Sequence, residues 1–321
     1  MVRIIASRAL MLCIVAICVA SIAAAQGRPA MTTDNSAANI WPPWDQPPAE
    51  GLNFTIHQID NVPDLHGDII DSQLVVFFAG NQFMVTRELM AAFRQQHPEV
   101  QRIYWETLPP GILARQIEQG AVIIGNLRIA IKPDVYTAGN RRIQQLQQQQ
   151  RIDPAVRYAR NRLAIMVKKG NPQNVRSLKD LGRADVRVAM PNPEWEGIAN
   201  LIIQAYKKAG GEELANRIMK EKVKDGTTFL THIHHRQTPI RIMLGESDAG
   251  VVWYSEARFQ QRIGNPIDMI EIPDDQNVTG DYWAGSFKDA PHTEAARAFV
   301  DFLVSAQGQA IFKKYGFMPA K

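Results

Sequence analysis

The chain has 321 residues, 45% of them hydrophobic, and 36 lysines and arginines against 32 acids give a formal net charge of +4. That length supports a large core without cross-links, and the two cysteines, Cys13 and Cys18, leave no disulfide framework beyond the first 25 residues. The charge is too balanced for a basic stripe, so no nucleic-acid partner is expected.

Residues 1–25 read as a secretory signal peptide. Arg3 and Arg8 precede an apolar run from Ala9 to Ala20, and Ala23-Ala24-Ala25 supplies small residues for cleavage. The run is nearly long enough to span a bilayer, so a retained anchor is the alternative. Export places the mature protein in the periplasm. Residues 26–72 read as a Pro-rich arm, because WPPWDQPP favours an extended tether. Within it, residues 52–72 look irregular. PDLHGD (63–68), with His66 between Asp64 and Asp68, reads as a turn.

QLVVFFAG (73–80) is a short apolar run of the kind buried in a parallel strand. TRELMAAFRQQHP is a helix with Leu89, Ala92 and Phe93 on one face, QRIYWE a strand, and LPPGILARQIEQG a turn and helix stopped by Gly120. PDVYTAG is a third strand, and the glutamines after it an exposed helix. The series then repeats. NRLAIMVKKG is a strand, SLKDLGR a short helix with Ser177 as N-cap, and VRVAM a strand. EWEGIANLIIQAYKKAGG is a helix closed by Gly210, DAGVVWY a strand, and EARFQQRI a helix, with two more helices at the C-terminus. Strands alternating with helices predict an α/β fold with mostly parallel sheets, in two lobes around a cleft.

Four segments carry a resemblance: GILARQIEQGA, IDPAVRYARNRLAIMVKKGNP followed by SLKDL, GESDAGVVWYSEA, and the ending FVDFLVSAQGQAIFKKYGFMP. Together they resemble the type II periplasmic solute-binding proteins, and among them the molybdate-binding family, over about residues 73–318. The resemblance implies a two-lobed fold with two hinge crossovers. Lobe 1 is expected at residues 73–157 and 265–321, and lobe 2 at 158–264. It implies a monomer that catalyses nothing, needs no cofactor, captures a small molecule or oxyanion, and presents it to an ABC permease in the inner membrane. A periplasmic adaptor that reports its ligand to a receptor kinase would use the same cleft.

That family holds its oxyanion with serine hydroxyls, backbone N–H groups at helix starts, and a tyrosine. Asn81 stands near its first serine, Pro110 near its second, and Trp253 at its tyrosine, with Tyr254 adjacent. Its small, neutral lobe-2 helix start corresponds to Glu194-Trp195-Glu196-Gly197. An apparent insertion, VIIGNLRIAIK (122–132), precedes PDVY.

The candidate ligand residues follow from position. Asn81 and Gln82 open a helix where unpaired N–H groups favour anions. Thr107 and Gly111 flank the next helix start. Glu196 and Gly197 open a lobe-2 helix, where acids are also favoured by the helix dipole alone. Trp253, Tyr254 and Trp195 offer aromatic walls. THIHHRQTP (231–239) holds three of the seven histidines, and TPIRIMLGES after it has helical spacing. His234, His235 and Arg236 are therefore expected just before a lobe-2 helix and facing the cleft. A metal-dependent hydrolase built on this cluster is the competing reading. Arg236 stands where such motifs continue with Asp, and no HExxH occurs, so neither catalytic residue nor metal is assigned.

Overall fold

The computed structural model describes residues 52–55, 63–124, 127–194, 196–232 and 234–320. The signal peptide, most of the Pro-rich arm and Trp195 lie outside these residues.

In chain order the strands are β1 (Leu52–Thr55), β2 (Pro63–Gly67), β3 (Leu74–Ala79), β4 (Ile103–Leu108), β5 (Ala121–Ile124), β6 (Leu127–Ala130) and β7 (Val135–Gly139). They continue with β8 (Val156–Lys168), β9 (Val188–Met190), β10 (Thr228–Leu230), β11 (Ala249–Trp253), β12 (Ile267–Glu271) and β13 (Thr279–Ser286). The helices used below are α1 (Phe83–Gln96), α2 (Pro110–Gln119), α3 (Asn140–Gln148), α4 (Gly197–Asn216), α5 (Gln237–Met243), α6 (Tyr254–Arg262), α7 (Thr293–Val304) and α8 (Ala306–Lys314).

The main sheet runs β1-β2-β4-β3-β7-β13-β8-β11-β9-β10, with β12 also on β8. The two lobes meet in β8. Its first half, Val156–Arg162, pairs with β13. Its second half, from Leu163, pairs with β11 and β12. Parallel pairing holds β3 between β4 and β7, and β9 between β10 and β11. The crossing strands pair antiparallel, so the parallel share is smaller than the alternating pattern predicts. A strand that returns through the hinge enters the sheet in the opposite direction. In that hinge, the Asn277 carboxamide bonds both ways to the Leu163 backbone, at 3.0 Å from its N–H and 2.9 Å from its carbonyl.

Most predicted elements form where expected. All of β3 is buried, as a strand covered on both faces must be. Gly120 takes the left-handed conformation that ends α2. Ser177 caps its 3-10 turn in a capping box with Asp180. The expected insertion contains the β5–β6 hairpin.

One reading is corrected. PDLHGD is not a turn: Pro63–Gly67 is a strand, paired with β1 and β4. Gly210 interrupts α4 where the sequence places its stop: Gly210 and Gly211 leave the helical conformation, with φ of Gly211 at 70°, and a second helical stretch runs on to Asn216. Among the described residues no helix is long and apolar enough to cross a membrane.

Candidate functional site

Four helix starts converge where the lobes meet. In lobe 1, β3 ends in a 3-10 turn, Gly80–Gln82, that leads into α1. In lobe 2, Glu196 immediately precedes α4, and Ser255 and Glu256 lie in the first turn of α6. The His-Arg segment immediately precedes α5. Asn81, Gln82, Glu196, His234, His235, Arg236 and Glu256 are all buried.

The polar groups form two clusters. The first is neutral and built around lobe 1. Tyr158 donates to Gln82 Oε1 at 2.6 Å, and Gln82 Nε2 reaches Thr137 Oγ1 at 3.5 Å. Asn81 Nδ2 donates to the Tyr282 hydroxyl. On β8, Asn161 Nδ2 donates to Ser255 Oγ at 2.8 Å. Burial pushes both the Tyr158 and Tyr282 hydroxyls above the usual phenol range, and the Glu256 charge adds to the effect at Tyr282.

The second cluster is charged. His235 lies between two carboxylates, with Nδ1 2.5 Å from Glu196 and Nε2 2.8 Å from Glu256. Its backbone N–H also donates to Glu196 at 2.8 Å, and Thr231 Oγ1 donates to the other Glu196 oxygen at 2.7 Å. Each imidazole nitrogen faces an acceptor, so both carry a proton and His235 is a cation. Burial alone would lower its pKa. The charges and hydrogen bonds of Glu256 and Glu196 overcome that and hold it up at about 10.

His234 is opposite in character. Burial, with the neighbouring His235 and Arg236 cations, keeps its pKa well below normal, so it is neutral. Its Nδ1 accepts the Arg236 N–H at 3.0 Å. Its far edge lies on Gly80, where a β-carbon would stand 2.6 Å from His234 Nε2. No larger residue fits at Gly80 with the imidazole in place.

Arg236 reaches across from lobe 2 to lobe 1. It pairs with Asp64 on β2, donates to the Gly80 carbonyl at 3.3 Å, and lies 5.2 Å over the Phe83 ring. Asp64 also takes a 3.5 Å contact from Thr107 Oγ1. Beside it, burial pushes Glu106 up to about 8, assisted by the Asp64 charge and opposed by hydrogen bonds from Tyr104 and Gln116. Glu106 is therefore mostly protonated near neutrality.

Of the predicted residues, Asn81, Gln82, Thr107, Glu196, His234, His235 and Arg236 come together here. Gly197 is exposed on α4 beside Glu196, and Gly111 lies in the first turn of α2. Trp253 is buried against Tyr282, with ring centroids 5.6 Å apart, and sits over Gly280, where a β-carbon would stand 2.4 Å from its ring. Tyr254 faces Arg162, whose guanidinium lies 4.3 Å from its ring centre. His232 and Glu194 are exposed.

Sequence reasoning missed Asp64, Asn161, Ser255, Glu256 and Tyr282. Asp64 was visible only as a turn residue. Glu256 and Ser255 were visible in WYSEA, but only as helix-start residues. Asn161 and Tyr282 carry no local signal, because their positions depend on how β8 and β13 cross.

Glu196, His234 and His235 each offer a ligand atom within 4.8 Å of the others, the arrangement that suits a metal ion best among the described residues. Both His235 nitrogens are already engaged with carboxylates, and Arg236 adds a second cation alongside. The geometry serves hydrogen bonding and charge pairing better than metal coordination.

Residues 74–318 match the family model of bacterial extracellular solute-binding proteins. The chain is 27% identical over 157 residues to a putative ABC transporter substrate-binding lipoprotein, YvgL of Bacillus subtilis, covering 49% of this chain and 55% of that one. It spans about half the length of the curated relatives it matches. In structure it is similar to the sulfate-binding protein SubI of Mycobacterium tuberculosis, with a TM-score of 0.64 and 20% identity over 77% of this chain and 85% of that one. The periplasmic molybdate-binding protein of Azotobacter vinelandii superposes with a TM-score of 0.61 and 18% identity, over 76% of this chain and 98% of that one.

Proposed function

We propose, from the premise that this chain belongs to the bacterial extracellular solute-binding proteins, that it captures a small anion between its two lobes for an ABC importer. The convergence of Gln82, Glu196 and Ser255 at three helix starts facing the lobe junction carries this reading. Such starts present unpaired N–H groups and a partial positive charge. The sulfate-binding and molybdate-binding proteins that share this fold support the choice of an anion. In this reading the protein acts in the periplasm as a monomer, binds without catalysis, and hands its cargo to an inner-membrane permease.

Lobe 1 comprises the strands up to β7 with β13 and the C-terminal helices, and lobe 2 comprises β9–β12 with α4–α6. The hinge lies in β8 and in the segment joining β12 to β13. The ligand contacts lie among the helix-start residues Asn81, Gln82 and Gly197 and the neutral groups Asn161, Ser255 and Tyr282 beside them, with the Glu196–His235–Glu256 and Arg236–Asp64 pairs closing the site behind them.

Calorimetry of the purified protein with sulfate, molybdate, thiosulfate and phosphate tests the reading. At least one anion should bind. At one hundred times its dissociation constant it should add about 2.7 kcal/mol of stability. No heat and no thermal shift with any of the four would remove the proposal. Stoichiometric zinc in the protein as purified would replace it with a metal-centred one.

A further inference from the structure

Asn161 lies on β8, which pairs with strands of both lobes, and its side chain is fully buried. Its Nδ2 group donates to Ser255. Its Oδ1 has no partner among the described residues. A buried acceptor left unpaired is costly, so one at a ligand site points to a group that donates to it.

The donors around it are hydroxyls. Tyr282 accepts from Asn81, and its own proton is left to be given elsewhere. Ser255 accepts from Asn161 and likewise has a proton to give. The node thus offers two hydroxyl donors and one carbonyl acceptor, contributed by both lobes and the hinge.

The charge balance points the same way. Among the described residues, three carboxylates, Asp64, Glu196 and Glu256, stand against two cations, His235 and Arg236. Both His235 nitrogens face carboxylates, and Arg236 faces Asp64 and the Gly80 carbonyl. That leaves one surplus carboxylate among the described residues. A fully ionised tetrahedral dianion would bring two more negative charges and no hydrogen for Asn161 Oδ1, whereas dihydrogen phosphate brings a single charge and a hydrogen to give.

We infer that the ligand is an oxyanion that still carries a proton, of the hydrogen-phosphate class, with its hydroxyl donating to Asn161 Oδ1 and its bare oxygens accepting from Tyr282 and Ser255. This rests on the proposed anion-binding reading and narrows it. The orphan acceptor selects the protonated oxygen, and the surplus carboxylate disfavours ions that have none.

The test is calorimetry of the intact protein with inorganic phosphate, arsenate, sulfate and molybdate at one pH near neutrality and matched ionic strength. Phosphate and arsenate should bind at least about a hundredfold more tightly than sulfate and molybdate, a ratio that sites built around a ligand hydrogen can far exceed. Ser255→Ala should weaken phosphate about tenfold while leaving the phosphate-to-sulfate ratio intact. Asn161→Ser, checked for folding by its melting temperature, should lower that ratio. The ligand panel stands even if this variant does not fold. Sulfate or molybdate binding as tightly as phosphate overturns the inference and leaves the anion reading standing. Silence from all four ions overturns both.

Discussion

The two polar clusters at the lobe junction differ in what holds them. Around Gln82, Tyr158 and Thr137, neutral groups satisfy one another within lobe 1. Around His235 and Arg236, full charges are buried in pairs, and one pair crosses between lobes. A neutral network loses one bond when a member is removed. A buried ion pair loses its partner's compensation, and the stranded charge then dominates the cost. The contrast teaches that the segment richest in ionisable groups is locked by its own counter-ions, and that ligand donors are better sought among the neutral groups beside it.

The largest expected effect comes from removing the cation that faces Asp64. Arg236→Met should destabilise the protein by roughly 3–5 kcal/mol in urea unfolding. Asp64→Asn combined with Arg236→Met should recover much of that loss. A loss below about 1 kcal/mol for the single variant would mean that the pair is solvated and the contrast fails.

The pH dependence should come next. The folded pKa of His235, about 10, lies above its ordinary value of 6.5, so its contribution is fully present below 6.5 and is lost as pH rises through 10. Glu106 also has a raised folded pKa, about 8 against 4.5, so its ionisation erodes stability between those values. The melting temperature should therefore fall from acid to alkaline pH. His235→Gln should flatten the upper part of that decline and Glu106→Gln the lower part. An unchanged profile in both variants would place the titrations elsewhere.

A smaller loss, roughly 1–3 kcal/mol, is expected for Tyr158→Phe, which leaves Gln82 Oε1 without its donor. That loss should be the same at pH 6 and pH 9, because its neighbours are neutral. The smallest effect is that of salt. Raising ionic strength should barely alter the cost of Arg236→Met, since buried pairs are weakly screened.

Much of the fold was legible in the sequence, because periodicity and stop signals are local. The all-buried run at β3, the Gly120 stop and the Ser177 cap each depend on a few neighbouring residues. The edge strand Pro63–Gly67 was not legible, because Pro, Asp and Gly are turn residues unless a neighbouring strand pairs with them, as β4 does here. The His-Arg segment was correctly expected to precede a helix. Its partners were not foreseen. Asp64 is 172 residues from Arg236, and no pattern within either segment announces the pair.

The Asn277 carboxamide has one more consequence. By giving and taking hydrogen bonds with Leu163 as a peptide unit would, it fastens the two hinge passages at a single point. A fulcrum is the place where rotation produces no displacement. An isotope label at the Leu163 amide should therefore stay silent while the lobes swing, and its exchange with solvent should report only whole-molecule unfolding. Cutting the fastening with Asn277→Ala should make that amide exchange by local opening instead, turning a fixed axle into a loose one.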